Sequence, residues 1–285
     1  VPFFTRILKF PRALLARLRD QRKQPRHRVG ADFPLVATVS LSGDDGTLRQ
    51  SASAGPGSIW SGRVSDISAN GLSVRLPVAT ATARNETSTV RITLAERELA
   101  IPCTVAHFRV QPAHALCGLR LDFADFAAQK SFLQIVEAVS LGSSFAPVGG
   151  DRAPRVSLGL ARRQWRSPRH AKLTEWRETG TRKLDRFELI LEEHCIEGRM
   201  TEPGLKISRD TSRAKPAAPT VEAELREFFL WVVANLPASV PTDLKEFMRR
   251  AATTTTAAAP KHATKAPVAS TSPTDWAPPK RPVRG

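Results

Sequence analysis

Apolar positions along the chain change period three times. Over residues 2–20, Phe3, Phe4, Ile7, Leu8, Leu14, Leu15 and Leu18 recur at helical spacing, with Arg6, Lys9, Arg12, Arg17 and Arg19 between them. The pattern predicts a basic amphipathic helix over residues 1–20, kinked or restarted at Pro11. From residue 33 to 125 the period drops to two. Segments 34–41, 60–64, 72–76, 89–94, 101–110 and 117–123 read as six short strands. Asn70-Gly71 and Gln111-Pro112 supply turns between them. Residues 43–58 hold almost nothing to bury and read as a long exposed hairpin loop. Short strands with little helix between them predict a mainly β domain, a six-stranded barrel over residues 21–142. Residues 126–140, with Phe132, Leu133, Ile135, Val136 and Val139, read as a helix that caps one barrel end.

After residue 145 the periodicity fades. Residues 143–181 are Arg-rich and read as a basic linker. Residues 183–198 read as a helix, with Leu184, Phe187, Leu191 and Cys195 on one face and Gly198 as its stop. Residues 220–236 read as an apolar helix through Phe228, Phe229, Trp231, Val232 and Val233, either core for a small second module or, the favoured reading, a helix that docks on a partner or a membrane. A short helix over 243–250 is expected to be capped by Asp243, with Glu246 three residues on. Residues 182–250 therefore read as a small helical region. Residues 251–285 have the Ala, Thr, Pro and Lys composition of a disordered tail. The expected fold class is mainly β: a barrel with a capping helix, then a partly helical, partly disordered C-terminal region.

Composition narrows the partners. The 285 residues carry 43 Lys and Arg against 27 Asp and Glu, a net charge of +16, which calls for anionic partners. No apolar run is long enough for a transmembrane helix. The N-terminal apolar stretch is broken by Arg6, Lys9, Pro11 and Arg12, unlike a secretory signal. Three cysteines cannot form a closed disulfide framework and point to a reducing cytoplasm. The basic helix can also lie on an anionic membrane surface, which would place a cytoplasmic chain at the periphery of the inner membrane. The chain opens on Val1, compatible with a fragment or an unusual start.

Two short motifs flank the first hairpin. Arg22-Lys23-Gln24-Pro25-Arg26-His27-Arg28 precedes the first strand, and Asp66-Ile67-Ser68-Ala69-Asn70-Gly71 follows the second. Two arginines separated by three residues can hold phosphates bidentately and stack on purine faces. Asp66 offers a carboxylate to a guanine N–H edge, Ser68 a hydroxyl, and Gly71 a close backbone approach. Pro25 keeps Gln24 extended, so the basic cluster should cross the barrel rim as a strap.

The combination resembles the PilZ domain, the bacterial receptor module for cyclic di-GMP. That family carries Arg-x-x-x-Arg before its first strand and Asp or Asn, x, Ser, x, x, Gly after its second. Asp66, Ser68 and Gly71 match the second motif. The run Cys117-Gly118-Leu119-Arg120-Leu121-Asp122-Phe123 is similar to the family's closing strand. The resemblance spans about residues 20–140. It implies a six-stranded barrel with a helix, and cyclic di-GMP held between strap and second motif, often as an intercalated dimer. It assigns ligand contacts to Arg22, Arg26, Arg28, Asp66, Ser68, Asn70 and Gly71. The Arg motif has two registers here: Arg22 with Arg26, or Gln24 with Arg28. In the second register the first arginine is lost, and Gln carries no charge for a phosphate. A looser resemblance links the chain to the PilZ-containing tail of bacterial cellulose synthases, although no Asp-x-Asp or Gln-x-x-Arg-Trp element occurs in it.

Competing chemistry is weaker. Cys103, His107, His114 and Cys117 lie within 15 residues, but their spacing matches no zinc finger or knuckle, and no metal is expected. His194 and Cys195 are direct neighbours, and Glu192 with Glu193 reads as a solvated face, so no catalytic set emerges. Residues 152–169 are Arg-rich and include Trp165, yet the chain has no Tyr and no aromatic ladder, which disfavours nucleic acid. The expectation is a non-catalytic cyclic di-GMP effector with no cofactor. It would pass ligand binding to a protein partner or an anionic membrane surface through the N-terminal basic helix. The alternatives are a degenerate PilZ protein-interaction module without ligand, and a basic nucleic-acid or membrane adaptor.

Overall fold

The computed structural model describes residues 25–41, 58–149, 155–209 and 219–254. The N-terminal helix expected over 1–20, Arg22 of the strap, the hairpin loop and most of the expected tail lie outside the described residues.

Strict alternation builds the first sheet. In β2 (Leu35–Leu41), Leu35, Ala37, Val39 and Leu41 are buried; in β5 (Thr87–Leu94), Val90, Ile92 and Leu94 are buried while Arg91 is exposed. With β3 (Ser58–Ser68), β4 (Gly71–Leu76), β6 (Arg97–Val110) and β7 (Ala115–Leu121) they pair antiparallel in the cyclic order β3-β2-β5-β6-β7-β4, and β4 closes back on β3. The result is the expected six-stranded barrel, its interior filled by these alternate side chains. The short strand β1 (His27–Arg28) adds to β3 from outside the barrel.

Helix α1 (Phe126–Ser143) starts where Asp125 accepts a hydrogen bond from the Ala128 N–H at 2.7 Å. Its buried Phe132, Ile135, Val136 and Val139 belong to one continuous hydrophobic core that runs on into the second half of the chain.

That second half differs from the sequence reading. Residues expected as a basic linker form β8 (Ala146–Pro147), β9 (Arg155–Ser157), β10 (Leu160–Arg166) and β11 (Ala171–Glu178). The helix expected over 183–198 is instead a hairpin of β12 (Leu184–Leu191) and β13 (His194–Arg199), followed by β14 (Glu202–Ser208). The strands form an antiparallel sheet in the order β14-β13-β12-β11-β10-β8, with β9 beside β10. The helical spacing of Leu184, Phe187, Leu191 and Cys195 was coincidental. Phe187, Leu189 and Leu191 alternate at period two and are all buried.

Helix α2 (Pro219–Ala234) lies where the sequence placed it, but it is core rather than a docking surface. Phe228, Phe229 and Trp231 are buried, each worth about 1.5–3 kcal/mol of burial. Phe229 stacks on Phe187 at 5.8 Å, and Phe247 of α3 (Thr242–Thr253) meets the same ring edge-on at 5.5 Å. Asp243 does not cap α3, whose N-cap is Pro241. Its carboxylate instead takes the guanidinium of Arg177 from β11 at 2.7 and 2.9 Å.

Candidate nucleotide site

Two irregularities in the barrel create the site. The β3–β4 register shifts between Val64 and Asp66, and the β6–β7 register shifts between Val105 and His107. Each bulge re-aims the side chains that follow it. A row then crosses five strands: Arg28 lies opposite Asp66, Asp66 opposite Ser73, Ser73 opposite Gly118, and Gly118 opposite His107. Directly opposed residues share a face. A cleft of about 50 Å³ opens over this row, with Arg26, Asp66, Ser68, Gly71, Ser73 and His107 in its lining.

Local bonding fixes the acid. The Ser65 hydroxyl donates to Asp66 Oδ2 and the Ser73 hydroxyl to Asp66 Oδ1, both at 3.0 Å. The carboxylate is thereby oriented while its remaining lone pairs stay available to a donor in the cleft. The Ser68 hydroxyl donates to the Gly71 carbonyl at 3.2 Å and tightens the β3–β4 turn. Gly71 has a backbone reason to be glycine: a β-carbon there would come within 2.5 Å of the Leu119 carbonyl oxygen of β7. A β-carbon on Gly118 would run into the His107 ring, so glycine lets the imidazole lie flat against the sheet.

Of the strap, Arg26 lines the cleft and Arg28 sits in register with Asp66. His27, between them, lies opposite the buried Ile67. Alternation therefore turns both arginines toward the cleft and His27 toward α1. Asn70 contributes its backbone, its carbonyl accepting from the Leu121 N–H at 2.9 Å, and it is not in the cleft lining. Arg22 lies outside the described residues. The row also brings in Ser73, His107 and Gly118, which motif spacing alone did not place in the site; only strand register reveals them.

The four residues weighed as zinc ligands do not converge. Cys103 and Cys117 face the barrel interior, where burial pushes their thiols up to about 11 and about 12, while His107 is exposed on the outer face.

Burial, reinforced by the charge of Arg169, holds His27 below its ordinary value of 6.5. Folding thus favours the neutral ring. The stability this contributes is present above about pH 6.5 and is lost as pH falls toward the lowered value. Burial shifts His194 the same way. His27→Gln is expected to flatten, in part, the fall in stability on acidification below about pH 6.5. Urea melts at stepped pH check this, and an unchanged slope would refute it.

Residues 20–138 match the family model of the PilZ domain. This part of the chain is a PilZ domain. Two solved structures are similar to the chain at low identity. The PilZ domain with cyclic di-GMP of YcgR from Escherichia coli is 10% identical, covers 42% of this chain and 92% of its own, and has a TM-score of 0.33. The PlzA protein of Borreliella burgdorferi in complex with cyclic di-GMP is 10% identical, covers 76% of this chain and 99% of its own, and has a TM-score of 0.28. No curated protein matches the chain. Among the described residues, no helix is long and apolar enough to cross a membrane.

Proposed function

We propose that the PilZ domain of this chain is a receptor for cyclic di-GMP and acts as a non-catalytic effector. The observation that carries this reading is the convergence of Arg26, Asp66, Ser68 and Gly71 on one cleft of a PilZ barrel. Arg26 and Arg28 supply charge for the phosphates, and Asp66 accepts from a guanine N–H edge. Arg26 lines the cleft and Arg28 stands opposite Asp66, so phosphate binding does not hinge on Gln24.

The output runs through the segment after the strap. The Val29 N–H donates to the Ser65 carbonyl at 3.0 Å, and the Gly30 N–H donates to Asn235 Oδ1 at 2.5 Å. Asn235 follows α2 and is itself buried. Ligand that fixes Arg26 and Arg28 biases this contact, provided it binds one arrangement more tightly than the other. A protein partner or an anionic membrane surface on the cytoplasmic side, reached through the basic residues 1–20, would read the change.

Isothermal titration of cyclic di-GMP, with GTP and cyclic GMP as controls, tests the reading. Arg26→Ala, Arg28→Ala and Asp66→Ala should each weaken binding about 10- to 150-fold, the loss of a charge-assisted hydrogen bond of about 1.5–3 kcal/mol. The ligand should be recovered chemically unchanged. Absence of heat at high ligand concentration would instead support the ligand-free interaction module.

A further inference from the structure

The second sheet gathers three turns at one end. Its neighbouring strands are all antiparallel, and β10, β12 and β14 each start just after β9, β11 and β13 finish. The β9–β10 turn Leu158-Gly159, the β11–β12 turn over residues 179–183 and the β13–β14 turn Met200-Thr201 therefore leave the sheet at the same end. Hydrogen bonds tie them to their neighbours. The Thr179 N–H and hydroxyl both donate to the Gly159 carbonyl, at 2.8 and 2.7 Å, and the Met200 N–H donates to the Asp185 carbonyl at 2.9 Å.

The apex of the first turn carries a residue that its backbone disfavours. Leu158 has a φ of 51° and Gly159 a φ of 74°. Both are left-handed, as in the two-residue hairpin loop that favours Asn-Gly, and a leucine is strained there. The Leu158 side chain is 100% exposed. A β-carbon on Gly159 would meet nothing within 4 Å, so the apex projects into solvent. The leucine thus serves neither its turn nor the core. Val156, 59% exposed, and Met200, 49% exposed, add apolar surface at the same end. Backbone strain kept for an apolar side chain in water points to a partner supplied from outside.

The charge around the turns says which partner. Arg182 and Lys183 in the second turn are exposed. Behind the turns, Arg162, Trp176, Arg186 and Arg199 stand opposite one another from β10 to β13 and share a face. The Arg186 guanidinium lies 4.6 Å from the centre of the Trp176 ring. The acids at this end are fewer and engaged. Glu178 accepts from the Thr181 hydroxyl at 2.5 Å, Asp185 lies 3.9 Å from Arg186, Glu197 pairs with Arg199 at 2.9 Å, and Glu202 pairs with Lys206 at 2.5 Å. A projecting apolar apex flanked by cations, with a half-buried Trp behind it, complements an anionic lipid surface. We propose that this end of the second sheet docks on an anionic membrane. Leu158, Val156 and Met200 enter the acyl boundary, and Arg182 and Lys183 meet the headgroups. The contact is separate from the PilZ cleft and does not rest on its ligand.

The test uses the full chain and vesicles of equal parts phosphatidylcholine and phosphatidylglycerol. Cys103, Cys117 and Cys195 are buried, so an environment-sensitive dye on Leu158→Cys reports the apex alone. Its emission should shift to the blue on these vesicles, and the shift should shrink as salt rises. Leu158→Asn should lower vesicle partitioning about tenfold, the low end for burying a leucine. Its thermal midpoint should stay unchanged or rise, because Asn suits the turn. Arg182→Ala and Lys183→Ala should each weaken partitioning about fivefold. Residues 1–20 are basic and can bind the same vesicles, and the dye separates the two contacts. A chain that sediments with vesicles while the dye stays unshifted would overturn the proposal, as would native partitioning in Leu158→Asn or no vesicle binding at all. A blue shift without lipid that grows with protein concentration would also overturn it, since a second copy of the chain would then cover the turn.

Discussion

Arg177→Met is expected to destabilise the fold by about 3–5 kcal/mol, the range for removing one partner of a buried ion pair. Glu175 on β11 is fully buried, and its Oε2 accepts from Arg177 Nε at 2.9 Å. Its Oε1 has no hydrogen-bond partner among the described residues. The same guanidinium reaches Asp243 on α3 through Nη1 and Nη2 at 2.7 and 2.9 Å. One cation therefore neutralises a carboxylate inside the sheet and ties α3 to it. The double variant Glu175→Gln with Arg177→Met should recover much of the loss, because no buried charge is then stranded. Denaturant melts measure both, and a loss below about 1 kcal/mol in the single variant would refute the structural role of this ion pair. The same contact sets a pH limb. The hydrogen bonds from Arg177 hold Asp243 below the ordinary carboxylate range. Its contribution is complete above the unfolded carboxylate value and disappears as pH falls through the lowered folded value. In Arg177→Met this acid limb should shrink.

What the sequence made legible was local. Val90 and Ile92 alternate with Arg91 and Thr93, and the barrel strands follow from such runs. Asp66, Ser68 and Gly71 sit on one hairpin, so their convergence needed only the turn between β3 and β4. Ser73, Gly118 and His107 reach the same row through pairings of three different strands, two of them around bulges, and one-dimensional spacing carries no record of a register shift. The second sheet was hidden for another reason. Arg162, Arg166, Lys172, Glu188, Glu197 and Lys206 occupy one face of β10–β14, and so much charge reads as linker. The apolar character of α2 is plain in the sequence, but what it covers, the Phe187 face of β12, also carries helical spacing. A helix loses its apparent lack of a partner once the sheet beneath it is recognised.

Asn235→Ala is expected to cost about 2–4 kcal/mol and to disconnect the strap from the helices. The side chain bridges two elements: its Oδ1 accepts from the Gly30 N–H at 2.5 Å, and its Nδ2 donates to the Val139 carbonyl of α1 at 2.6 Å. Space there is already closed, since a β-carbon on Gly30 would lie 2.9 Å from Asn235 Oδ1 and one on Gly142 would lie 2.9 Å from the Asn235 β-carbon. Water therefore has little room to replace the lost amide, and the Gly30 N–H is left without a partner. Neighbouring contacts hold the same segment less tightly. Arg249 of α3 pairs with Asp32 at 3.1 Å near the surface, an arrangement worth at most about 1 kcal/mol. Asn235 is thus the main polar route from Arg26 and Arg28 to α2. In the native chain, cyclic di-GMP should slow amide hydrogen exchange in residues 219–234; in Asn235→Ala the ligand should still bind while that protection is lost. Equal protection of α2 in the variant would show that the signal leaves the strap by another path, through the packing of His27 beside Glu137 and Arg169.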